Sequence, residues 1–153
     1  LVGSWGRSVV LLKDRQTAQA IFEMREEQNN PLSHIYYIQE MIKKPERDIR
    51  CIVIGDKVIT TVYRYPPPGE WRSNVARGAT TAPCPVTSEL EEIVLGVGEA
   101  VGGGVLGIDA MESQDGLVVH EINSTVEFRG ASSVGNVDIA GSILKFTIDS
   151  VRR

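Results

Sequence analysis

Basic excess, histidine, cysteine and long apolar runs are all scarce in this 153-residue sequence. Lys and Arg number 16 against 20 Asp and Glu, a formal charge of −4, which argues against a nucleic-acid binder, whose footprint is net basic. No apolar stretch approaches the ~20 residues of a membrane-spanning helix, and none resembles a secretory leader. Neither a membrane nor a nucleic acid is therefore an expected partner. His34 and His120, and Cys51 and Cys84, are far apart with no CxxC or Cys/His spacing. This argues against a zinc site and reads as reduced thiols in a cytoplasmic protein.

What is present is ordinary for a globular domain. Apolar residues make up 42% and charged residues 24%, enough for a real core. The chain opens on Leu1 with no initiator Met, which leads to the expectation that it is the C-terminal part of a longer protein. Residues 8–13 are β-branched and apolar and read as a strand. Asp14 opens a helix to about Gln28, with Ala18, Ile21 and Phe22 on one stripe, ended by Asn29-Asn30-Pro31. Residues 34–41, rich in Ile and Tyr, read as a second strand, and a subdomain boundary falls near Lys43-Lys44-Pro45-Glu46.

Asp48–Ile54 and Lys57–Tyr65 form a hairpin around Gly55-Asp56. Pro66, Pro67 and Pro68 forbid ladder pairing and leave a loop to about Gly78. Thr87 or Ser88 caps the next helix, Glu91 standing as in a capping box, and Leu90, Ile93, Val94, Val97 and Val101 mark its buried face. Gly102-Gly103-Gly104 stops it. Residues 105–112 and 117–123 make a second hairpin around Gln114-Asp115-Gly116, and Asp138 begins a last helix. Antiparallel hairpins interrupted by helices predict an α+β fold rather than a doubly wound sheet.

The clearest chemistry lies on the second hairpin. Alternate strand residues share a face, so Glu121, Asn123 and Val119 point one way, with Asp109 on the partner strand about as far from the turn. Leu106, Ile108, Val118 and Ile122 then face a core. Two carboxylates held close repel unless something neutralises them. Hard oxygen donors without His or Cys suit Mg²⁺ or Mn²⁺, typically shared with substrate phosphates. Solvated acids at a strand end are the commoner fate of such a pair, but Asn123 and the polar segment after it favour a metal–phosphate site.

Two further features are weaker alone. Gly3-Ser4-Trp5-Gly6-Arg7 precedes a strand, so it is neither a Walker loop nor a Rossmann turn, though its backbone could approach phosphate. Arg50, Arg64, Arg72 and Arg77 gather around the proline loop and suit carboxylates and phosphates. A plain two-residue turn at Gly55-Asp56 would put Arg50 away from Arg64. A longer loop or a bulge would put Asp48, Arg50 and Arg64 on one face, and this second register is the one a shared site requires. Trp71 and the Tyr36/Tyr37 pair read as packing, and His120, of opposite parity to Glu121, as a packed or surface residue.

Taken together, these segments resemble the ATP-grasp superfamily, specifically its ribosomal-protein-glutamate-ligase-like branch. Within it they look closest to ligases that attach 2-aminoadipate or glutamate to an amino-group carrier protein in lysine or arginine biosynthesis. The resemblance rests on Gly-Ser-Trp-Gly-Arg at 3–7, Tyr-Ile-Gln-Glu at 37–40, Asp-Ile-Arg at 48–50, Arg64, Ser-Asn-Val-Ala-Arg-Gly at 73–78, Asp109, and the Glu-Ile-Asn-Ser-Thr-Val-Glu-Phe run at 121–128.

It implies the C-terminal portion of an ATP-grasp fold, with residues 1–42 in the lid subdomain and 43–153 carrying the metal and substrate site. Gly3, Ser4, Trp5, Gly6, Arg7 and Ser8 would cover the ATP phosphates. Gln39, Glu40, Met41 and Ile42 would read adenine, Asp48 would hold the ribose, and Arg50 and Asn74 would also face the nucleotide. Asp109, Glu121 and Asn123 would hold Mg²⁺ or Mn²⁺. Arg64 and Arg77 would serve the reacting phosphoryl and carboxylate groups. Val75, Ala76, Arg77 and Gly78, with Glu127, Phe128, Arg129, Gly130 and Ala131, would line the amino-acid side. The implied partners are a small acidic amino-group carrier protein and an amino acid, and a homo-oligomer is compatible.

Two departures qualify the likeness. The family's phosphate-binding lysines lie upstream of the glycine loop, so this polypeptide alone is expected not to ligate. As the family is understood, aminoadipate enzymes carry Asn then Ser/Thr after the Glu-Phe-Arg stretch, and glutamate enzymes Gly then Phe. Gly130-Ala131 leans toward glutamate and leaves the substrate open. The alternatives are another ATP-grasp ligase acting on a protein C-terminus or a small peptide, or a non-catalytic nucleotide-binding domain.

Overall fold

The computed structural model describes residues 4–134 and 137–152. The chain divides into two compact units, Leu1–Met41 and Ile42–Arg153. No helix among the described residues is long and apolar enough to cross a membrane.

The first unit is built on helix α1 (Arg15–Glu26), capped by Asp14, whose side chain accepts from the Thr17 N–H at 2.7 Å. Phe22 meets Tyr36 edge-on, ring centroids 4.8 Å apart. Arg25 donates to the Ser33 carbonyl at 2.6 Å and the Ile35 carbonyl at 3.3 Å, and lies over the Tyr36 ring. The expected strands over 8–13 and 34–41 do not form. Neither stretch joins the sheet, and His34 instead closes a 3₁₀ turn (Pro31–His34) started by the Asn30 cap and Pro31. β-branched composition favours a strand only where a ladder partner exists, and no described segment supplies one. The glycine stretch expected to lead into the first strand is a 3₁₀ turn over Ser4–Gly6, with Trp5 and Ser8 both left-handed (φ 60° and 57°).

The second unit is a five-stranded antiparallel sheet in the order β3-β2-β1-β4-β5, formed by β1 (Asp48–Ile54), β2 (Lys57–Tyr65), β3 (Thr80–Pro83), β4 (Val105–Ser113) and β5 (Gly116–Asn123). One face packs Ile49, Cys51, Val53, Ile108 and Ala110 under helix α2 (Ser88–Ala100), which contributes Leu90 and Val94. Thr87 is its cap, accepting from the Leu90 N–H, so the capping box read on Ser88 and Glu91 does not form. Val101 lies past the helix end and is exposed. The other face packs Ile52, Ile54 and Val62 under α3 (Arg129–Ser132) and α4 (Ile139–Val151), which Asp138 caps. Strand β3 and helix α3 have no counterpart in the sequence reading. β3 ends on Pro83 at a sheet edge, where a missing N–H is tolerated.

Two bulges set which residues share a face. In β2, Ile59 is the extra residue: the turn is the two-residue Gly55-Asp56, yet Asp48 pairs with Arg64 and Arg50 with Val62. In β5, His120 is extra, so Asp109 faces Glu121 and Gly107 faces Asn123 across a two-residue turn, rather than the three-residue turn read earlier. That bulge also reverses the expectation for the strand's outer half. Val119 packs into the α2-side cluster, opposite the face of Glu121, and Val118 takes the other face.

Candidate functional site

The bulges gather charge at one end of the α4-side face. Arg64 Nε donates to Asp48 Oδ1 at 2.7 Å and its Nη2 to Oδ2 at 2.8 Å. Ser73 Oγ also donates to Asp48 Oδ2. Arg64 Nη2 then stands 3.0 Å from Asp109 Oδ2, and Arg50 Nη1 3.0 Å from Asp109 Oδ1. Asp48, Arg64, Ser73 and Asp109 are buried, each no more than 6% exposed. The two cations and two anions cancel, which is what allows the cluster to leave water.

Burial pushes the Asp109 carboxyl up, opposed by Arg64 and Arg50. Burial alone would lower the Arg64 guanidinium, but Asp109 and Asp48 outweigh it and hold it above its ordinary value. One defect remains. Asp109 Oδ1 and Arg50 Nη1 are buried without a hydrogen bond, although they face each other.

Glu121, exposed, stands directly opposite Asp109, and Asn123, partly exposed, opposite Gly107. Among the described residues no three His, Cys, Asp or Glu side chains converge on one point. A cation here would rest on two carboxylates and one amide oxygen, all hard donors that fit Mg²⁺ or Mn²⁺, and Asp109 Oδ1 has no hydrogen bond to give up.

The four arginines divide into two pairs rather than one set. Arg72 and Arg77 face Glu70, whose Oε1 accepts from the Trp71 and Arg72 N–H groups and Arg72 Nε, and whose Oε2 accepts from Arg72 Nη2 at 2.8 Å. Arg77 Nη1 lies 3.6 Å from the same Oε2. Arg72 holds the Glu70 carboxyl down at about 2. Ser73 fastens this loop to Asp48, so the two pairs are linked.

The two stretches assigned to the amino acid adjoin. Val75, Ala76 and Arg77 form a 3₁₀ turn between Asn74 and Gly78, and a Cβ on Gly130 would lie 3.1 Å from Val75 Cγ2. Thr81 Oγ1 donates to the Gly130 carbonyl. Phe128 and Ala131 pack into the apolar layer, while Glu127 and Arg129 are exposed. In the first unit Gln39, Glu40 and Met41 lie on an exposed stretch without regular secondary structure, and Ile42 opens the second unit half-buried. Trp5, Arg7 and Ser8 are exposed in the left-handed turn that includes Ser4 and Gly6; Gly3 lies outside the described residues.

Three contributors escaped the sequence reading. Ser73 sits within the Ser-Asn-Val-Ala-Arg-Gly run without an assigned role, and Glu70 stands two residues before Arg72, a spacing open to an ion pair. Arg47 pairs with Glu112 through two bonds of 2.7 and 2.8 Å and stacks on Tyr63, clamping the entry to β1 against β4.

Known structures place this architecture. An ATP-grasp protein with a RimK domain from Sphaerobacter thermophilus superimposes with a TM-score of 0.61 over 88% of this chain and 45% of its own, at 22% identity. The ATP-grasp ligase PsnB, complexed with a minimal precursor, gives 0.59 over 74% and 36%, at 25% identity. The fold is that of an ATP-grasp domain. The sequence profile of the RimK-like ATP-grasp domain matches residues 1–147, and the chain belongs to that family.

Among its relatives, a glutamate–LysW ligase ArgX of Sulfolobus acidocaldarius is 36% identical over 99% of this chain and 54% of its own length. An α-aminoadipate–LysW ligase LysX of Saccharolobus solfataricus is 36% identical over 99% and 55%. A probable α-L-glutamate ligase of Coxiella burnetii is 37% identical over 94% and 47%. The chain thus spans about half the length of the curated relatives it matches.

Proposed function

We propose that this chain is the nucleotide- and metal-holding part of an ATP-dependent carboxylate–amine ligase acting in the cytoplasm. It joins glutamate or 2-aminoadipate to the C-terminal Glu of a small acidic amino-group carrier protein. The observation that carries this reading is Asp109: a buried carboxylate with one unsatisfied oxygen, opposite Glu121, beside Asn123 and backed by two arginines. The relatives named as LysW ligases support the substrate class, at 36% identity over almost the whole chain.

In this reading the carrier's carboxylate oxygen attacks the γ-phosphorus of ATP, and the bond from that phosphorus to the β–γ bridging oxygen breaks as ADP leaves. The amino group of the incoming amino acid then attacks the acyl carbon, phosphate departs with the bonding electrons, and the nitrogen loses a proton. Arg64 and Arg77 offset the charge on the transferring and leaving oxygens. Mg²⁺ or Mn²⁺ on Asp109, Glu121 and Asn123 would neutralise the triphosphate. By the family resemblance, residues 1–42 would belong to the lid, with residues 3–8 assigned to phosphate and residues 39–42 to adenine. Asp48 lies on the ribose side while also holding Arg64. Arg50 and Asn74 face the nucleotide. The stretches at 75–78 and 127–131 border the amino acid, Phe128 and Ala131 from beneath.

The test uses the protein at its full natural length with Mg²⁺·ATP, glutamate or 2-aminoadipate, and the carrier. Phosphate release and a carrier heavier by one amino-acid residue, each requiring both co-substrates, are the expected result. Nucleotide binding without phosphate release under any combination would favour a non-catalytic domain. Extension of a ribosomal-protein C-terminus instead would favour the second reading, an α-L-glutamate ligase, which the Coxiella relative supports at 37% identity.

A further inference from the structure

We propose that the Arg50 guanidinium is a resident counter-cation in the divalent-metal seat, and that metal and Arg50 exchange places on Asp109 when nucleotide arrives. This rests on the metal–nucleotide reading of Asp109, Glu121 and Asn123.

The placement of Arg50 is specific. Its guanidinium lies over the bare backbone of Gly107, where a Cβ would come within 2.9 Å of Nη1. Gly107 faces Asn123 across the ladder, and the next rung on that face pairs Asp109 with Glu121. A guanidinium reaching from above Gly107 to within 3.0 Å of Asp109 Oδ1 therefore spans the two rungs that carry all three oxygen donors. A divalent ion on Oδ1 and Arg50 Nη1 cannot share that position.

The two arginines on Asp109 differ in how firmly they are held. Arg64 is bidentate to Asp48 and also reaches Asp109. Arg50 Nη1 meets Oδ1 as a charge contact without a hydrogen bond, leaving both atoms unsatisfied. A buried carboxylate needs a neutralising cation, and Arg50 supplies one through a contact less firmly anchored than that of Arg64.

The consequence is a coupling. Metal alone must displace Arg50 into a setting where the guanidinium has lost its anion. With nucleotide present, the displaced guanidinium gains phosphate oxygens, so each ligand strengthens the other equally. Arg50 thus keeps the seat weak for free metal and selective for the metal–nucleotide pair.

The test reads Mn²⁺ affinity from the free-ion EPR signal, with and without ADP, on the full-length protein. Wild type should bind Mn²⁺ weakly alone, and ADP should tighten it by about tenfold or more, within the usual range of such couplings. Arg50→Gln should bind Mn²⁺ alone about tenfold more tightly than wild type, and the gain from ADP should shrink correspondingly. Gly107→Ala, which pushes the guanidinium off its cradle, should move both quantities the same way and serves as the second variant, with melting curves confirming the fold of each. Unchanged or weaker Mn²⁺ affinity in both variants, with the ADP effect intact, would overturn the exchange while leaving the metal site standing. Absence of any Mn²⁺ binding to wild type, even with ADP, would overturn the site itself and the exchange together.

Discussion

The two faces of the sheet come from alternate residues of the same strands, yet they solve opposite problems. Under α2 the inward side chains are Ile49, Cys51, Val53, Ile108, Ala110, Leu90 and Val94, with no charge among them. Burial there pushes the Cys51 thiol up to about 12, as a packed residue rather than a nucleophile. The opposite face is apolar only where α3 and α4 cover it, and gives way along β1 from Ile52 to Arg50 and Asp48. One face derives its stability from transfer of apolar area. The other spends stability to hold three charges out of water beside the half-buried Arg50, and such a cost is commonly found where a protein binds or reacts.

The sharpest way to break that contrast is to remove one member of the charged set. Arg64→Ala strands Asp48, leaves Asp109 with Arg50 alone, and should cost about 3–5 kcal/mol, read by urea unfolding. On the apolar face, Leu90→Ala should cost about 3 kcal/mol through a cavity, but without altering nucleotide affinity. Equal nucleotide affinity in the two variants would mean that the charged face is structural.

Ser73→Ala should cost about 1 kcal/mol, the worth of a buried hydrogen bond. By freeing the loop at 70–78 from Asp48 it should also raise KM for the amino acid more than it lowers kcat. Steady-state kinetics check this.

An effect of similar size depends on pH. Arg47 holds the Glu112 carboxyl below its ordinary 4.5. A depressed carboxyl adds stability that is present above that value and is lost as pH falls through the lower folded value. Glu112→Gln should therefore cost about 1 kcal/mol near neutrality and nothing at strongly acidic pH, measured as unfolding midpoints across an acid series.

Much of the second unit was legible because its signals are local. Gly55-Asp56, the glycine run at 102–104 and Asp138 mark ends by turn and capping chemistry. The apolar, β-branched stretches 48–54 and 57–65 on either side of Gly55-Asp56 need no knowledge of the rest of the chain. The bulges at Ile59 and His120 were not legible in this way, since an extra residue is chosen by the packing of both faces at once. The first could be inferred only from the demand that Arg50 and Arg64 share a site. The second went unseen, and with it the sides taken by Val118 and Val119. Residues 8–13 and 34–41 failed for a related reason: apolar β-branched stretches become strands only beside a partner. Of the site, the carboxylates and arginines stood out by residue type. Glu70 and Ser73 did not, because their roles lie in which neighbour they hold.

The most direct measurement is calorimetric titration of the full-length protein with Mg²⁺·ADP, wild type against Glu121→Ala. Glu121 is exposed and forms no part of the buried network, so its loss should shift stability by no more than about 0.5 kcal/mol. The account predicts saturable binding to wild type and an affinity weaker by about tenfold or more in Glu121→Ala, the loss of one charged ligand. Equal affinity in the two proteins, both folded, would contradict it.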